Sequence, residues 1–190
     1  MKPNLILKIF QFLRLIKFLL VTKYLSQKAG NESYIDYRGS TRLSWNSIVL
    51  GNNVKISHSP RIEAIHEWCG LSFFPMIKIG DETTIEQNIH IAACGQLEIG
   101  KGCVISSMVL ITDIEHVFSD FKSAQKTELT LKSTKIGDYV FIGAGAKILA
   151  GANIGDNCII GANSVVLEGK YENNTTLVGV PARRLIKNFK

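Results

Sequence analysis

The apolar positions of this chain repeat with a period of six residues. In the C-terminal third an aliphatic residue stands at every sixth position, and a small or β-branched residue follows four positions later. The aliphatic residues are Ile136, Ile142, Ile148, Ile154, Ile160 and Val166, and the residues that follow them are Val140, Ala146, Ala152, Cys158 and Ser164. The same spacing occurs earlier, at Leu50, Ile56 and Ile62, at Ile79, Ile85 and Ile91, and at Ile99, Ile105 and Ile111. A period of six fits neither the alternation of a strand nor the 3.6-residue turn of an α-helix.

A six-residue unit accommodates a short strand and a tight turn, and three such units complete one triangular coil. The aliphatic residue of each unit would point into the prism and stack on its counterparts in the adjacent coils. The small residue would fill the corner, and Gly, Asn or Asp would take the unusual backbone angles of the turn. The pattern therefore predicts an all-β protein built as a parallel β-helix.

The repeat is interrupted in three places. The breaks lie between Ile62 and Ile79, at Gly95–Gln96, and between Ile111 and Ile136. An insertion in a solenoid has to leave the stack as a loop, and such loops often carry function. We therefore expect a loop insertion at about residues 112–135, which contains His116.

Residues 1–30 differ from the rest of the chain, because Leu, Ile and Phe are interrupted there by Lys8, Arg14, Lys17 and Lys23. No uncharged run approaches the roughly 20 residues that span a bilayer, and no small-residue cleavage site of a signal peptide follows. The segment reads as a basic amphipathic helix. Two interpretations stay open: the helix lies on the anionic surface of the inner membrane, or it packs on the protein or its oligomer.

Charge and cysteine content argue against a nucleic acid partner and against a zinc site. The formal net charge of +6 suits an anionic partner, but basic and aromatic residues are not interleaved and no nucleic-acid-binding motif occurs, so we expect no nucleic acid partner. The four cysteines form no CxxC pair and no zinc-ligand spacing. We expect reduced, buried thiols at Cys94, Cys103 and Cys158, a cytoplasmic protein, and no catalytic metal.

The run IGDYVFIGAGAKILAGANIGDNCIIGANSVV, followed by GVPAR, resembles the hexapeptide-repeat acyltransferases, whose members include galactoside, maltose and serine acetyltransferases. The resemblance covers roughly residues 48–187. It implies a left-handed parallel β-helix that assembles as a homotrimer, with active sites between neighbouring prisms and acetyl-CoA as co-substrate. It places the acyltransferase domain at residues 48–180 and a C-terminal tail at 181–190, for which we expect a short helix.

Acetyl transfer from a thioester to a hydroxyl needs a base for the hydroxyl proton, donors for the oxyanion, and both substrates held together. A neutral histidine suits the first role near neutral pH. The resemblance aligns His116 with the catalytic histidine of the galactoside acetyltransferases. His58, His66 and His90 compete for that role. Asp113 or Glu115 would orient the imidazole, although backbone carbonyls would serve equally well.

The resemblance also assigns binding residues. Asn88 corresponds to an asparagine that holds the acceptor sugar, and His90 is expected to face the same cleft. Ala144 and Ala162 match positions where the pantetheine arm of CoA lies along the prism, and a bulky side chain there would lift the arm from the backbone. Arg183 matches an arginine near the CoA phosphates, with Arg184 and Lys187 adding charge. Alternatively, Asn88 is only a turn residue. Ala144 and Ala162 would then be small only because the repeat requires small residues at those positions.

The apolar, basic start of the chain resembles the O-acetyltransferases of capsule, exopolysaccharide or lipopolysaccharide synthesis. We therefore expect transfer of an acetyl group to a sugar or glycan hydroxyl, directly and without a covalent intermediate on Cys94 or Cys103. Two alternatives stay open. One is an acetyltransferase for another small acceptor, such as a nucleotide amino sugar, an antibiotic or serine. The other is a non-catalytic β-helix scaffold.

Overall fold

The computed structural model describes residues 30–36, 42–117 and 128–186, together with Leu13 and Ile16, which are helical and exposed. The six-residue units form three parallel sheets. The first sheet contains, in spatial order, β1 (Tyr34–Ile35), β4 (Lys55–Ile56), β9 (Thr84–Ile85), β12 (Val104–Ile105), β17 (Phe141–Ile142), β20 (Ile159–Ile160) and β23 (Thr176–Val178), and it ends in the antiparallel β24 (Arg183–Arg184). The second contains β2 (Arg42–Leu43), β5 (Arg61–Ala64), β10 (His90–Ala93), β13 (Leu110–Thr112), β18 (Lys147–Ile148) and β21 (Val165–Val166). The third contains β3 (Ile48–Leu50), β8 (Met76–Ile79), β11 (Gln96–Ile99), β16 (Thr134–Ile136), β19 (Ala152–Ile154) and β22 (Gly169–Tyr171).

Successive strands of the chain enter the three sheets in turn, so the architecture is the predicted parallel β-helix. We call the turns from the first to the second sheet the first corner, those from the second to the third sheet the second corner, and those from the third to the first sheet the third corner. A 3-10 turn at Trp45–Ser47 precedes β3.

The core of the prism is a stack of aliphatic side chains. In the first sheet Ile56 pairs with Ile85, Ile85 with Ile105, Ile105 with Ile142, and Ile142 with Ile160. All five of these side chains are buried. Burial of each aliphatic side chain contributes about 1.5–3 kcal/mol, so the six-residue period is the main source of the fold's stability.

Short polar side chains connect the coils at the third corner. Asp138 Oδ1 accepts the backbone N–H of Lys101, Asp156 Oδ1 accepts that of Asp138, and Asn173 Oδ1 accepts that of Asp156. Asn157 has a φ of 56°, in the left-handed region that asparagine tolerates. The Asn and Asp residues of the repeat thus act as turn residues, as the pattern predicts.

Two antiparallel hairpins leave the prism at the second corner, where the long breaks in the repeat lie. The first hairpin consists of β6 (Glu67–Trp68) and β7 (Leu71–Ser72). The second consists of β14 (Ile114–Val117) and β15 (Glu128–Leu131) and occupies the expected loop insertion; residues 118–127 lie outside the described part.

The C-terminal helix expected over residues 181–190 is wrong for the residues that the structure describes. Arg183–Arg184 pair as β24 with β23, Leu177 opposite Arg184 and Val178 opposite Arg183. The N–H of Ala182 donates to Val165 O at 2.7 Å, and that of Leu185 to Thr176 O at 2.8 Å. The open edge of the last coil offers these carbonyl groups, and pairing with them satisfies the backbone without a helix.

The predicted N-terminal helix over residues 1–30 lies outside the described residues, apart from Leu13, Ile16 and Gly30. Within the described part, no helix is both long and apolar enough to cross a membrane.

Candidate active site

His116 lies on β14, where it is exposed and stands opposite Leu129 of β15. Its imidazole meets the indole of Trp68 on the first hairpin. The ring centroids are 5.6 Å apart and the ring planes meet at 72°, an edge-to-face arrangement. The predicted base His116 therefore lies outside the prism, beside the side chain of Trp68.

Asp113 anchors the start of the second hairpin. Its side chain is 1% exposed, and its two carboxylate oxygens accept the backbone N–H groups of Cys94 at 2.9 Å and Gly95 at 2.8 Å. Its carbonyl accepts the N–H of Lys132 at 3.0 Å, which closes the base of the hairpin. Burial raises the pKa of Asp113, while the two N–H groups act in the opposite direction. Asp113 thus fixes the hairpin to the preceding coil.

Lys132 links the second hairpin to the turn after β21, two coils further on. Its Nζ lies 2.6 Å from Glu115 Oε2 and 2.8 Å from Glu168 Oε2. The hydrogen bonds that the Lys132 ammonium donates to Glu115 and Glu168 raise the pKa of Lys132, so it stays cationic. Of the two carboxylates considered as orienting groups for His116, Asp113 binds backbone and Glu115 binds Lys132.

The other histidines have different surroundings. His66 Nε2 lies 2.9 Å from Ser47 Oγ, and His58 Nδ1 lies 3.4 Å from Ser59 Oγ. His90 Nε2 is buried on the outer face of the second sheet, 3.8 Å from Glu63 Oε2. Burial lowers the pKa of His90, Arg61 lowers it further, and Glu63 opposes both, so His90 and Glu63 do not form an ion pair near neutral pH.

Asn88, Ala144 and Ala162 lie together on the first corner. Asn88 has a φ of 58°, which supports a turn role, and its N–H donates to His58 O at 3.3 Å. Ala144 O accepts the N–H of Asn163 at 2.9 Å, and the side chain of Ala162 is exposed. Arg183 is exposed on β24, with Nη1 donating to Ala182 O at 3.0 Å. The first corner therefore presents small side chains in successive coils.

Within one chain, the first corner and His116 lie at opposite ends of the strands of the second sheet. A three-residue strand such as β13 spans about 10 Å. The structure thus brings Asn88, Ala144 and Ala162 to one corner, while His116 lies on another.

The buried cysteines are poorly suited to nucleophilic catalysis. Burial, with a smaller contribution from Asp113, raises the pKa of Cys94 to about 11. Burial also raises the pKa of Cys103 and Cys158, whose thiols lie 3.2 Å from backbone carbonyl oxygens. These three side chains are buried free thiols, as predicted, and Cys69 is exposed in the first hairpin. A thiol with a raised pKa holds little thiolate near neutral pH.

The groove of about 480 Å³ along the third sheet and third corner does not contain the predicted site residues. Three of its charged side chains pair with one another: Glu98 lies 3.6 Å from Lys78 and 3.5 Å from Lys135. Within residues 30–36, 42–117 and 128–186, no cluster of three or more His, Cys, Asp or Glu side chains is arranged to hold a metal ion.

Sequence reasoning missed Trp68 as a neighbour of His116. The only available signal was its position in the first break of the repeat. That signal does not reveal which side chain of the second hairpin Trp68 meets.

Comparison with known proteins supports the predicted resemblance. Residues 133–168 match the family model described as bacterial transferase hexapeptide (six repeats), the repeat of left-handed β-helices. No curated protein sequence matches the chain significantly.

Several solved structures are similar to this chain. A maltose O-acetyltransferase from Clostridium difficile 630 is 26% identical, with a TM-score of 0.62 over 76% of this chain and 72% of that one. A galactoside acetyltransferase in complex with coenzyme A is 29% identical, with a TM-score of 0.54 over 58% of this chain and 55% of that one. An N-acyltransferase from Bacillus cereus, in complex with dTDP and coenzyme A, has a TM-score of 0.67 at 20% identity, over 86% of this chain and 87% of that one, and shows the fold alone.

Proposed function

We propose that this chain, which carries the bacterial transferase hexapeptide repeat, is an acetyl-CoA-dependent O-acetyltransferase that modifies a sugar hydroxyl. The observation that carries the proposal is the placement of His116. It is an exposed imidazole on a hairpin that is anchored to the prism by Asp113 and Lys132. The similarity to maltose and galactoside acetyltransferases supports the acyl donor and the sugar acceptor.

In this proposal a ring nitrogen of His116 accepts the proton of the sugar hydroxyl while the oxygen attacks the acetyl carbonyl carbon of the thioester. A backbone N–H stabilises the resulting oxyanion. Collapse of the tetrahedral intermediate breaks the C–S bond, and the CoA sulfur leaves and takes the proton from His116. Direct transfer is favoured over an acetyl-cysteine intermediate because the raised pKa values of Cys94 and Cys103 disfavour their thiolates.

For CoA, we propose the line of small residues on the first corner, with Arg183 near the phosphates. Ala144 and Ala162 occupy stacked turns there, and both leave the backbone accessible to an extended ligand. The similar galactoside acetyltransferase is described as a complex with coenzyme A, which supports CoA as the ligand.

Replacing Ala162 with Leu is expected to raise the KM for acetyl-CoA about tenfold. The larger side chain would displace the pantetheine arm and remove a backbone hydrogen bond, which costs about 1.4 kcal/mol. Titration calorimetry with CoA and steady-state kinetics would measure the change. Asn153→Leu, at an exposed position on the third sheet, is the matched control and should leave the KM unchanged. Equal changes of the KM in the two variants would contradict the proposal that CoA binds at the first corner.

We propose a homotrimer in which the first corner of one copy faces the second corner of the next. This arrangement would bring the small residues beside His116 across a subunit boundary, although they lie on different corners of each chain. Light scattering in solution is expected to give three times the chain mass of 21.0 kDa. A fully active monomer would contradict the proposal that the active site is formed between two subunits.

Release of CoA from acetyl-CoA, measured with a panel of acceptors, tests the function. The panel should contain nucleotide sugars, glycans of capsule, exopolysaccharide and lipopolysaccharide type, an amino sugar nucleotide and serine. Mass spectrometry and base lability of the product distinguish an ester from an amide. Ester formation on a sugar supports the proposal, whereas release with amines alone would assign N-acetylation. If calorimetry shows no binding of CoA, the chain would be assigned as a non-catalytic β-helix scaffold.

A further inference from the structure

The two hairpins at the second corner leave the prism two coils apart. The first follows β5 and the second follows β13, and β10 lies between these strands in the second sheet. The intervening coil makes a short turn at Cys94–Gly95, and the carboxylate of Asp113 accepts the N–H groups of both residues. Neighbouring strands are about 4.8 Å apart, so the hairpins start about 10 Å from each other. Two large side chains are needed to close that gap.

Trp68 and His116 close it. Their ring centroids are 5.6 Å apart with planes at 72°, within the range in which the positive edge of one ring attracts the negative face of another. Trp68 is half-buried, whereas Leu71 and Phe74, its neighbours in the first insertion, are 51% and 87% exposed. The indole is therefore covered locally, in the part of the insertion that faces the second hairpin.

On its other side, the second hairpin is held to the prism by ion pairs of Lys132. Glu115 precedes His116 on β14, and its carboxylate binds Lys132, which also binds Glu168 in the turn after β21, two coils further on. The hairpin is thus connected to that turn through Lys132 and to the first hairpin through Trp68. An exposed histidine on a two-stranded hairpin otherwise has several accessible rotamers.

We propose that Trp68 is the positioning residue of His116, and that the first hairpin exists in this chain to place the indole against the imidazole. The inference rests on the proposed role of His116 as the base. The indole restricts the imidazole to the rotamer in which a ring nitrogen faces the acceptor hydroxyl. Trp68 itself takes no proton and forms no bond with the substrates.

Loss of the indole should reduce turnover and not donor binding. Trp68→Leu, which keeps apolar bulk but removes the aromatic ring, is expected to lower kcat about tenfold, because misplacement of a reacting group by a fraction of an ångström is costly. The KM for acetyl-CoA should stay unchanged, since the proposed donor contacts are made by Ala144, Ala162 and Arg183 and none of them by Trp68. Trp68→Phe restores an aromatic partner and is expected to recover kcat to within about threefold of the wild type.

Indole fluorescence tests the contact without any activity. The chain has two tryptophans, so a Trp45→Phe background leaves Trp68 as the single indole. Removal of the imidazole exposes more of the indole to water, and water shifts indole emission to longer wavelength. The emission maximum of Trp68 is therefore expected to move to longer wavelength in His116→Ala. His66→Ala, the matched control, removes an imidazole that lies against Ser47 and should leave the maximum unchanged.

Each combination of results decides one claim. An emission maximum that is unchanged in His116→Ala, or that moves equally in His66→Ala, overturns the contact, whatever the activities are. A shift that depends on His116, with unchanged kcat in Trp68→Leu and lost activity in His116→Ala, overturns positioning and leaves the base in place. Full activity in His116→Ala overturns the proposed base, and with it the positioning role, even if the fluorescence contact is present.

Discussion

Replacement of His116 by alanine is expected to lower acceptor-dependent CoA release by at least about 10²-fold. Removal of a positioned general base costs about this much, because the hydroxyl then has to lose its proton to water. The KM for acetyl-CoA should change little, since His116 makes none of the proposed donor contacts. The measurement is kcat with the best acceptor of the panel, for wild type and variant.

Asn153→Ala is the control for this experiment. Asn153 is an exposed residue of β19 on the third sheet and belongs to neither corner of the proposed site. The variant is expected to leave kcat within about twofold, as a surface substitution outside the site does. Undiminished release in His116→Ala would contradict the proposed mechanism while leaving the β-helix intact.

Replacement of Asp113 by alanine is expected to lower the free energy of unfolding by about 2–4 kcal/mol. The change leaves the N–H groups of Cys94 and Gly95 without their acceptors, and each such loss costs about 1–3 kcal/mol where burial excludes water. Asp113→Asn keeps one acceptor oxygen and should lose about half as much. Denaturant-induced unfolding at pH 7 measures all three proteins.

Asp156→Ala is the corresponding control at the third corner. There one carboxylate oxygen accepts one N–H, that of Asp138, and both residues are partly exposed, so water can replace the lost acceptor. Its expected loss is below about 1 kcal/mol. Equal losses in the two alanine variants would mean that Asp113 does not have the special anchoring role assigned to it.

The raised pKa of Asp113 also gives its contribution to stability a pH dependence. Burial makes the folded state bind this proton more tightly than the unfolded chain, whose Asp groups have a pKa of about 3.9. The contribution of Asp113 is therefore largest below about pH 4. It falls as pH rises to the folded-state pKa and is constant above it. Relative to Asp113→Asn, the wild type should lose stability across that window.

The prism was predictable from the sequence because its determinant is local and repeated. Each unit carries its own inward residue and its own turn residues, so the pattern is visible at every sixth position. Ile105, Ile142 and Ile160 stack as predicted, and the Asn and Asp residues of the turns hold the adjacent coils together. Such stacking follows from nearest-neighbour contacts, which a repeated sequence specifies coil by coil.

The candidate site was only partly predictable. The break in the repeat and the family resemblance singled out His116, and the small residues of the first corner followed from the same resemblance. The anchoring role of Asp113 was not predictable, because its partners Cys94 and Gly95 belong to the preceding coil. The C-terminal tail was predicted as a helix, yet Arg183–Arg184 pair with β23, since the open edge of the last coil competes with helix formation.

By itself, the sequence determined the all-β class, the three-sided coil, the inward residues and the places where the chain leaves the prism. Tertiary structure alone decided that both insertions form antiparallel hairpins, and that Trp68 of one meets His116 of the other. The physical reason is the coil spacing. Residues far apart in the chain become neighbours only when whole coils stack in register, and the residues inside an insertion carry no six-residue period that records that register.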